Sequence, residues 1–232
     1  VKNNYALLNS EEKKIIKPIV ERFKGDLGLV EAMLSSLVVN VQRARSLSPH
    51  VHSIRFRVKD PTHLQDKLAR KLLKARAGEG FSITPDNLFE KINDLAGLRI
   101  LHLHSRQIGA INAALNDVFA EYRYSVIEAA TARTWDDEYR RFYESLGIAT
   151  KDSEKMYTSV HYVIESNSAT KLTCEIQVRT LAEELWGEVD HSMNYPNESN
   201  VEACREQIRV LARLTSGCSR LVDSIYSSSN KK

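Results

Sequence analysis

Glu175 and Asp94 are carboxylates set among cations and hydrogen-bonding side chains, the combination that phosphate chemistry uses. Over residues 172–179, Leu172, Cys174, Ile176 and Val178 alternate with Thr173, Glu175, Gln177 and Arg179, the period-two pattern of a strand with one buried face. Residues 157–164 alternate likewise, with Tyr157, Ser159 and His161 on one face and Thr158, Val160, Tyr162 and Ile164 on the other. Paired with their polar faces aligned, these strands present a carboxylate, an amide, a guanidinium, a phenol and an imidazole on one surface. A plain solvated sheet face is the competing explanation, since antiparallel sheets often leave one face wet.

Asp94 stands just before an apolar run, in Asp94-Leu95-Ala96-Gly97-Leu98-Arg99. There it could bind Mg²⁺ through oxygen, with Gly97 letting a ligand approach the backbone, or serve as an ordinary turn carboxylate. Arg57 and Lys59 precede Pro61, and Lys67 lies two helical turns further on. They share a basic window with Arg55, Arg70, Lys71, Lys74 and Arg76, able to clamp polyphosphate or to form a solvated helix face. Further along, Glu184, Glu188, His191 and Tyr195 recur at spacings of four, three and four and share one side of a helix, either a pocket wall or a charged outer face.

The elements that must position these groups read as α+β, a mixed and mainly antiparallel sheet flanked by helices. Residues 6–45 read as helix, N-capped at Ser10, with breaks or joints at Pro18 and around Gly25 and Gly28. In a strand over 51–58, Ile54, Phe56 and Val58 alternate with Ser53, Arg55 and Arg57. Pro61 opens a helix that Gly78 and Gly80 close, and Pro85 opens a shorter one. A strand at 98–103, a helix at 105–121 and a strand at 122–130 follow, then a charged stretch, 131–156, expected to be mobile. Residues 157–165 and 172–179 form a hairpin, with helices at 181–193 and 201–226 after it. Ile208, Leu211, Leu214, Leu221 and Ile225 are expected to pack the last helix on its own domain. The chain thus divides into a helical support (1–50), a catalytic domain (51–196) and a C-terminal helix with a polar tail (197–232).

At 232 residues and 42% hydrophobic content the chain can bury a real core, and a net charge of +3 permits nucleotide or RNA binding without requiring it. Cys174, Cys204 and Cys218 form no CxxC unit and read as reduced thiols. No apolar run approaches ~18 residues and the first residues lack a signal-peptide pattern, so a cytoplasmic protein without a membrane partner is expected.

Taken in order, four pieces resemble the synthetase domain of the RelA/SpoT family. They are Arg57-Val58-Lys59-Asp60-Pro61 with Lys67; Asp94-Leu95-Ala96-Gly97-Leu98-Arg99-Ile100; Tyr157-Thr158-Ser159-Val160-His161; and Glu175-Ile176-Gln177-Val178-Arg179-Thr180 followed by Trp186 and His191. The resemblance covers roughly residues 50–196, and the run from Trp186 to His191 is similar to the short, single-domain members. It implies a nucleotidyltransferase-like enzyme that transfers pyrophosphate from ATP to the 3′ hydroxyl of GDP or GTP, making (p)ppGpp alarmones and AMP.

By the same resemblance Asp94 binds Mg²⁺, and Glu175 assists the metal or acts as general base. Arg57 and Arg99 sandwich the donor adenine, and Lys59 and Lys67 neutralise its phosphates. Tyr157 stacks on the acceptor base beside His161, Gln177 and Arg179, with Glu184 as a candidate reader of guanine. Two positions depart from the family pattern. The Pro-Lys pair and glycine that precede the acceptor tyrosine are replaced by Asp152-Ser153-Glu154-Lys155-Met156, with Lys151 or Lys155 as possible substitutes, and His63 stands where serine is frequent. The alternative within the family is transfer to the 3′ end of tRNA or to an adenosine nucleotide, by a toxin with an antitoxin partner. An inactive nucleotide- or RNA-binding module is a third possibility, against which the presence of both Asp94 and Glu175 speaks. A homo-oligomer formed through the last helix is also open.

Overall fold

The computed structural model describes residues 4–194 and 201–229, apart from the side chains of positions 77 and 79; Tyr195 and the 196/197 boundary lie outside the described residues. Among the described residues seven α-helices, α1 (Ser10–Arg43), α2 (Pro61–Lys74), α3 (Leu88–Lys91), α4 (Ile108–Glu121), α5 (Asp137–Ser145), α6 (Leu181–Asn194) and α7 (Glu202–Ser229), flank one sheet. Its strands are β1 (Ser53–Val58), β2 (Ala96–His102), β3 (Ser125–Thr134), β4 (Ala149–Asp152), β5 (Ser159–Glu165) and β6 (Thr173–Thr180).

Helix α1 runs unbroken through Pro18, Gly25 and Gly28, contrary to the sequence expectation. Ten apolar side chains from Ile16 to Val41 are buried at helical spacing on both sides of these residues, which themselves face solvent. An interior proline costs ~3 kcal/mol and a glycine about 1, whereas burying one large apolar side chain gains roughly 1.5–3 kcal/mol, so the buried stripe prevails. The N-cap is Asn9 rather than Ser10. Its side chain accepts from the Glu12 N–H at 2.9 Å, and Glu12 accepts from the Asn9 N–H at 2.8 Å, closing a capping box.

The strand order is β1-β2-β6-β5-β3-β4. Pairs β1–β2, β6–β5 and β5–β3 are antiparallel, and β2–β6 and β3–β4 parallel. The expected β5–β6 hairpin is present, and the parallel insertion of β2 beside β6 sets Gly97 against Glu175. Because β1 is an edge strand, Phe56 is 55% exposed instead of joining the core with Ile54 and Val58.

The stretch 131–156 carries the end of β3, then α5 and β4. Asp136 caps α5 by accepting from the Glu138 and Tyr139 N–H groups, and Tyr139, Tyr143 and Ile148 are buried. Asp136 is itself held by Ser216 and Arg220 of α7. Helix α7 does pack on its own domain, but through Ile208, Ala212, Thr215, Ser216 and Ser219. Leu214, Leu221 and Ile225, expected in that contact, are exposed, because the face turned inward is the one that carries Ser216 and Ser219, which bond Asp136 and Thr180.

The core is continuous from α1 through the sheet to α4, and a smaller cluster joins Trp186 of α6 to Ile208 and Ala212 of α7, with Met156 and Tyr157 against it. The cysteines are unpaired, and among the described residues no helix is long and apolar enough to cross a membrane.

Candidate active site

Strand register lays the polar face of the sheet out in rows. Arg57, Gly97, Glu175 and Val163 are successive neighbours across β1, β2, β6 and β5. Arg55, Arg99, Gln177, His161 and Thr131 form the next row, from β1 to β3. Ser159, Arg133 and Lys151 form a third on β5, β3 and β4. Asp94, Arg57, Arg99, Glu175 and Gln177 line one cavity of about 270 Å³, with Glu188 and His191 of α6 as a wall.

At the β1 end, the Lys59 N–H extends the ladder by donating to the Leu95 carbonyl at 2.8 Å, which brings Lys59 beside Asp94. Asp60 accepts from the Thr62 N–H at 2.7 Å and Pro61 starts α2, so Lys67 projects back two turns later. Lys59 Nζ lies 3.0 Å from Asp94 Oδ2 and Lys67 Nζ 2.6 Å from Oδ1. Burial pushes the Asp94 carboxyl up, but the two ammonium groups prevail and hold it below the usual carboxylate range. A Cβ on Gly97 would meet nothing nearer than Arg57 at 3.9 Å, so that glycine leaves an open floor to the cavity.

Glu175 is bound from both sides. His161 Nδ1–H donates to its Oε1 at 3.0 Å and Gln177 Nε2–H to its Oε2 at 3.1 Å. Burial raises its pKa, yet the His161 hydrogen bond and its neighbours leave it lowered. Burial dominates at His161 and pulls the imidazole below its ordinary value, so it is neutral at pH 7 and acts as a hydrogen-bond donor.

Over the second row, α6 places Glu184 and Glu188. Glu184 Oε1 accepts from Arg55 at 3.1 Å and Arg99 at 3.2 Å, and Glu188 accepts from Arg99 at 2.7 Å. Arg179 Nη2 lies 2.6 Å from Glu184 Oε2, an ion pair whose alignment falls short of a hydrogen bond. Gly187 makes this possible: a Cβ there would sit 2.5 Å from Arg179 Nη1. Glu184 and Arg179, both grouped from sequence with the acceptor side, are thereby buried against each other, with Glu184 also engaged by Arg55 and Arg99.

Tyr157 stands at the other end. Its ring stacks on Trp186 with centroids 6.0 Å apart, and it is tilted toward His161 at 6.1 Å. Arg133 Nη1–H reaches the Tyr157 hydroxyl at 3.5 Å. The geometry therefore joins Asp94, Arg57, Arg99, Glu175 and Gln177 around one cavity, with Lys59 and Lys67 held behind it on Asp94 and His161 standing between Glu175 and Tyr157. Sequence reasoning passed over Arg133, whose position follows from the unexpected β3–β4 pairing, and Glu183. The Glu183 Oε2 accepts from the Thr158 N–H at 3.0 Å, and burial pushes its carboxyl up to about 7.

A magnesium ion bound together with substrate phosphates needs one or two carboxylates. Asp94 and Glu175, lining one cavity, fit that requirement, although among the described residues no group of three His, Cys, Asp or Glu side chains could hold a metal unaided.

The family model described as a region found in RelA / SpoT proteins matches residues 56–200. The GTP pyrophosphokinase YjbM of Bacillus subtilis is 28% identical over 171 residues, 71% of this chain and 65% of the relative, so the chain spans just under two thirds of that protein. The GTP pyrophosphokinase YwaC of the same organism is 24% identical over 80% of this chain and 81% of its own length. The crystal structure of small alarmone synthetase 1 from Bacillus subtilis superposes with a TM-score of 0.65 at 23% identity, covering 91% of this chain and 100% of that one, and shares the fold.

Proposed function

Because the chain belongs to the RelA/SpoT family, we propose that it is a pyrophosphokinase, moving the β,γ-pyrophosphate of ATP to the 3′ hydroxyl of GDP or GTP and releasing AMP. The name shared by both B. subtilis relatives supports this activity. The observation that carries the reading is the cavity itself: Asp94 and Glu175 open onto it together, cations border it at the β1 end, and Glu175 is tied to His161 and Tyr157 at the other.

In this reading Arg57 and Arg99 bracket the donor adenine, and Lys59 and Lys67 turn from Asp94 to the donor phosphates. Asp94 and Glu175 would hold Mg²⁺, which when bound neutralises phosphate oxygens and fixes their geometry. The acceptor base stacks on Tyr157, whose far side rests on Trp186. The 3′ oxygen attacks the β phosphorus in line. The bond from that phosphorus to the bridging oxygen breaks, and AMP leaves with the oxygen. Glu175, held ionised at neutral pH, receives the hydroxyl proton. Such transfers gain most from alignment and charge neutralisation, which suits a site richer in fixed cations than in strong bases.

Incubation with γ-³²P-ATP, Mg²⁺ and GDP, GTP, ATP or deacylated tRNA as acceptor tests the reading. It expects label in the guanine nucleotides with unlabelled AMP formed in equal amount. Label in no acceptor overturns the activity; label in tRNA alone overturns the acceptor.

A further inference from the structure

On the β1–β2 side the cavity narrows to a slot. Arg57 is the register partner of Gly97 and Arg99 that of Arg55, so Arg57 and Arg99 are diagonal neighbours on one face of the sheet. Diagonal positions on an antiparallel pair lie about 7–8 Å apart, twice the ~3.5 Å at which flat groups touch. One planar ring therefore fits between two guanidinium planes standing there. Gly97 puts no side chain into the slot, and Glu188 and His191 of α6 wall it.

A guanidinium donates hydrogen bonds in its own plane and stacks through its faces. A carboxylate on its edge thus fixes the plane without covering the face. Arg99 is held in this way, its Nη1 donating to Glu188 Oε1 at 2.7 Å and to Glu184 Oε1 at 3.2 Å, from carboxylates one turn apart on α6. The two are not equivalent. Glu184 is buried and also pairs with Arg179 and Arg55, so its removal would strand a buried cation. The Glu188 side chain is 53% exposed, and among the described residues its one hydrogen bond is to Arg99, with Arg55 3.9 Å from the same oxygen. Burial raises its carboxyl, but the Arg99 hydrogen bond prevails and keeps it below the usual range, ionised at neutral pH. An unheld arginine loses side-chain freedom when a base docks on it, and that loss is subtracted from affinity. Arg99 has given up this freedom beforehand.

We propose that Glu188 is a positioning residue for the donor nucleotide: by gripping the edge of Arg99 it presents the guanidinium face to the donor base, opposite Arg57. The inference rests on the pyrophosphokinase reading, in which Arg57 and Arg99 bracket that base. It assigns part of the donor-base affinity to a carboxylate that acts through Arg99.

Steady-state transfer from ATP to GDP tests it in the wild type, Glu188→Ala, Glu188→Gln, Arg99→Ala and the double variant. Inhibition by inorganic tripolyphosphate, which offers the donor's phosphates without a base, is measured beside it. Glu188→Ala should raise the KM for ATP about 10-fold, the scale of one long side chain left to be ordered on binding. Its kcat, KM for GDP and inhibition constant for tripolyphosphate should stay within about 2-fold of wild type. Glu188→Gln keeps an oxygen for Arg99 without the charge and should lie between, about 3-fold above wild type in KM for ATP. In the Arg99→Ala background the loss of Glu188 should add less than about 2-fold. An unchanged KM for ATP in Glu188→Ala overturns the inference. So does a full effect that persists without Arg99, or an equal weakening of tripolyphosphate, which would mean general loosening of the donor site. Arg99→Ala with a wild-type KM for ATP overturns the bracketing of the base and the inference with it. Absence of transfer by the wild type to any acceptor overturns the underlying pyrophosphokinase reading instead.

Discussion

Among single residues, Glu183 offers a measurable pH signature. Its side chain is buried, accepts one backbone N–H from Thr158, and leaves its second oxygen without a partner among the described residues. Burial raises its pKa from 4.5 to about 7, so the folded state holds this proton more tightly than the unfolded chain does. The stability it contributes is full below the unfolded value and is lost as pH rises through the folded one. Glu183→Gln, which mimics the protonated form, should therefore melt close to wild type near pH 4.5 and increasingly above it as pH approaches 8. Thermal melts across that range check this, and a Tm difference independent of pH would contradict it. Residues of this kind were hard to see in the sequence. Strand alternation alone put Glu175 on a polar face, but nothing local announced that Arg55, Arg99 and Arg179 converge on Glu184, because those partners come from three different strands.

At the scale of elements, the proposed acceptor end rests on a helix that does not line the cavity. Trp186 Nε1–H donates to the Ile208 carbonyl of α7 at 3.1 Å, and the opposite side of the chain of contacts is the Tyr157 ring stacked on the indole. Helix α7 thereby fixes, through α6, the Tyr157 ring proposed to carry the acceptor base. Trp186→Leu should raise the KM for the acceptor about 10-fold, consistent with losing an aromatic support worth ~1 kcal/mol or more, and leave the KM for ATP nearly unchanged. Equal rises in both constants would show general loosening instead.

The elements best read from sequence were those whose pattern is local. The β5–β6 hairpin and the start of α2 at Pro61 follow from alternation and turn chemistry. Helix α5 was missed because its capping residue, Asp136, is secured by Ser216 and Arg220, about eighty positions away in the chain. The face of α7 was misassigned because Leu214, Leu221 and Ile225 outrank Ala212, Ser216 and Ser219 in hydrophobicity, whereas Ser216 and Ser219 carry the bonds to Asp136 and Thr180.

For the whole molecule, the proposed reaction divides the sheet between two tasks. Its β1–β2 side gathers Arg57, Arg99, Lys59 and Lys67 around Asp94, and its β5–β3 side carries Tyr157, His161 and Arg133. Glu175 on β6 stands between them, bonded to His161 and facing the same cavity as Asp94. That placement makes Glu175→Gln the most direct test of the account. The substitution keeps the shape and most hydrogen-bonding capacity while removing the proton acceptor. Single-turnover transfer from γ-³²P-ATP to GDP, measured beside the affinity for a non-hydrolysable ATP analogue, reads both halves at once. The account predicts transfer slowed by about 10²–10⁴-fold with analogue affinity within a few-fold of wild type. Transfer at near wild-type rate would contradict the role of Glu175.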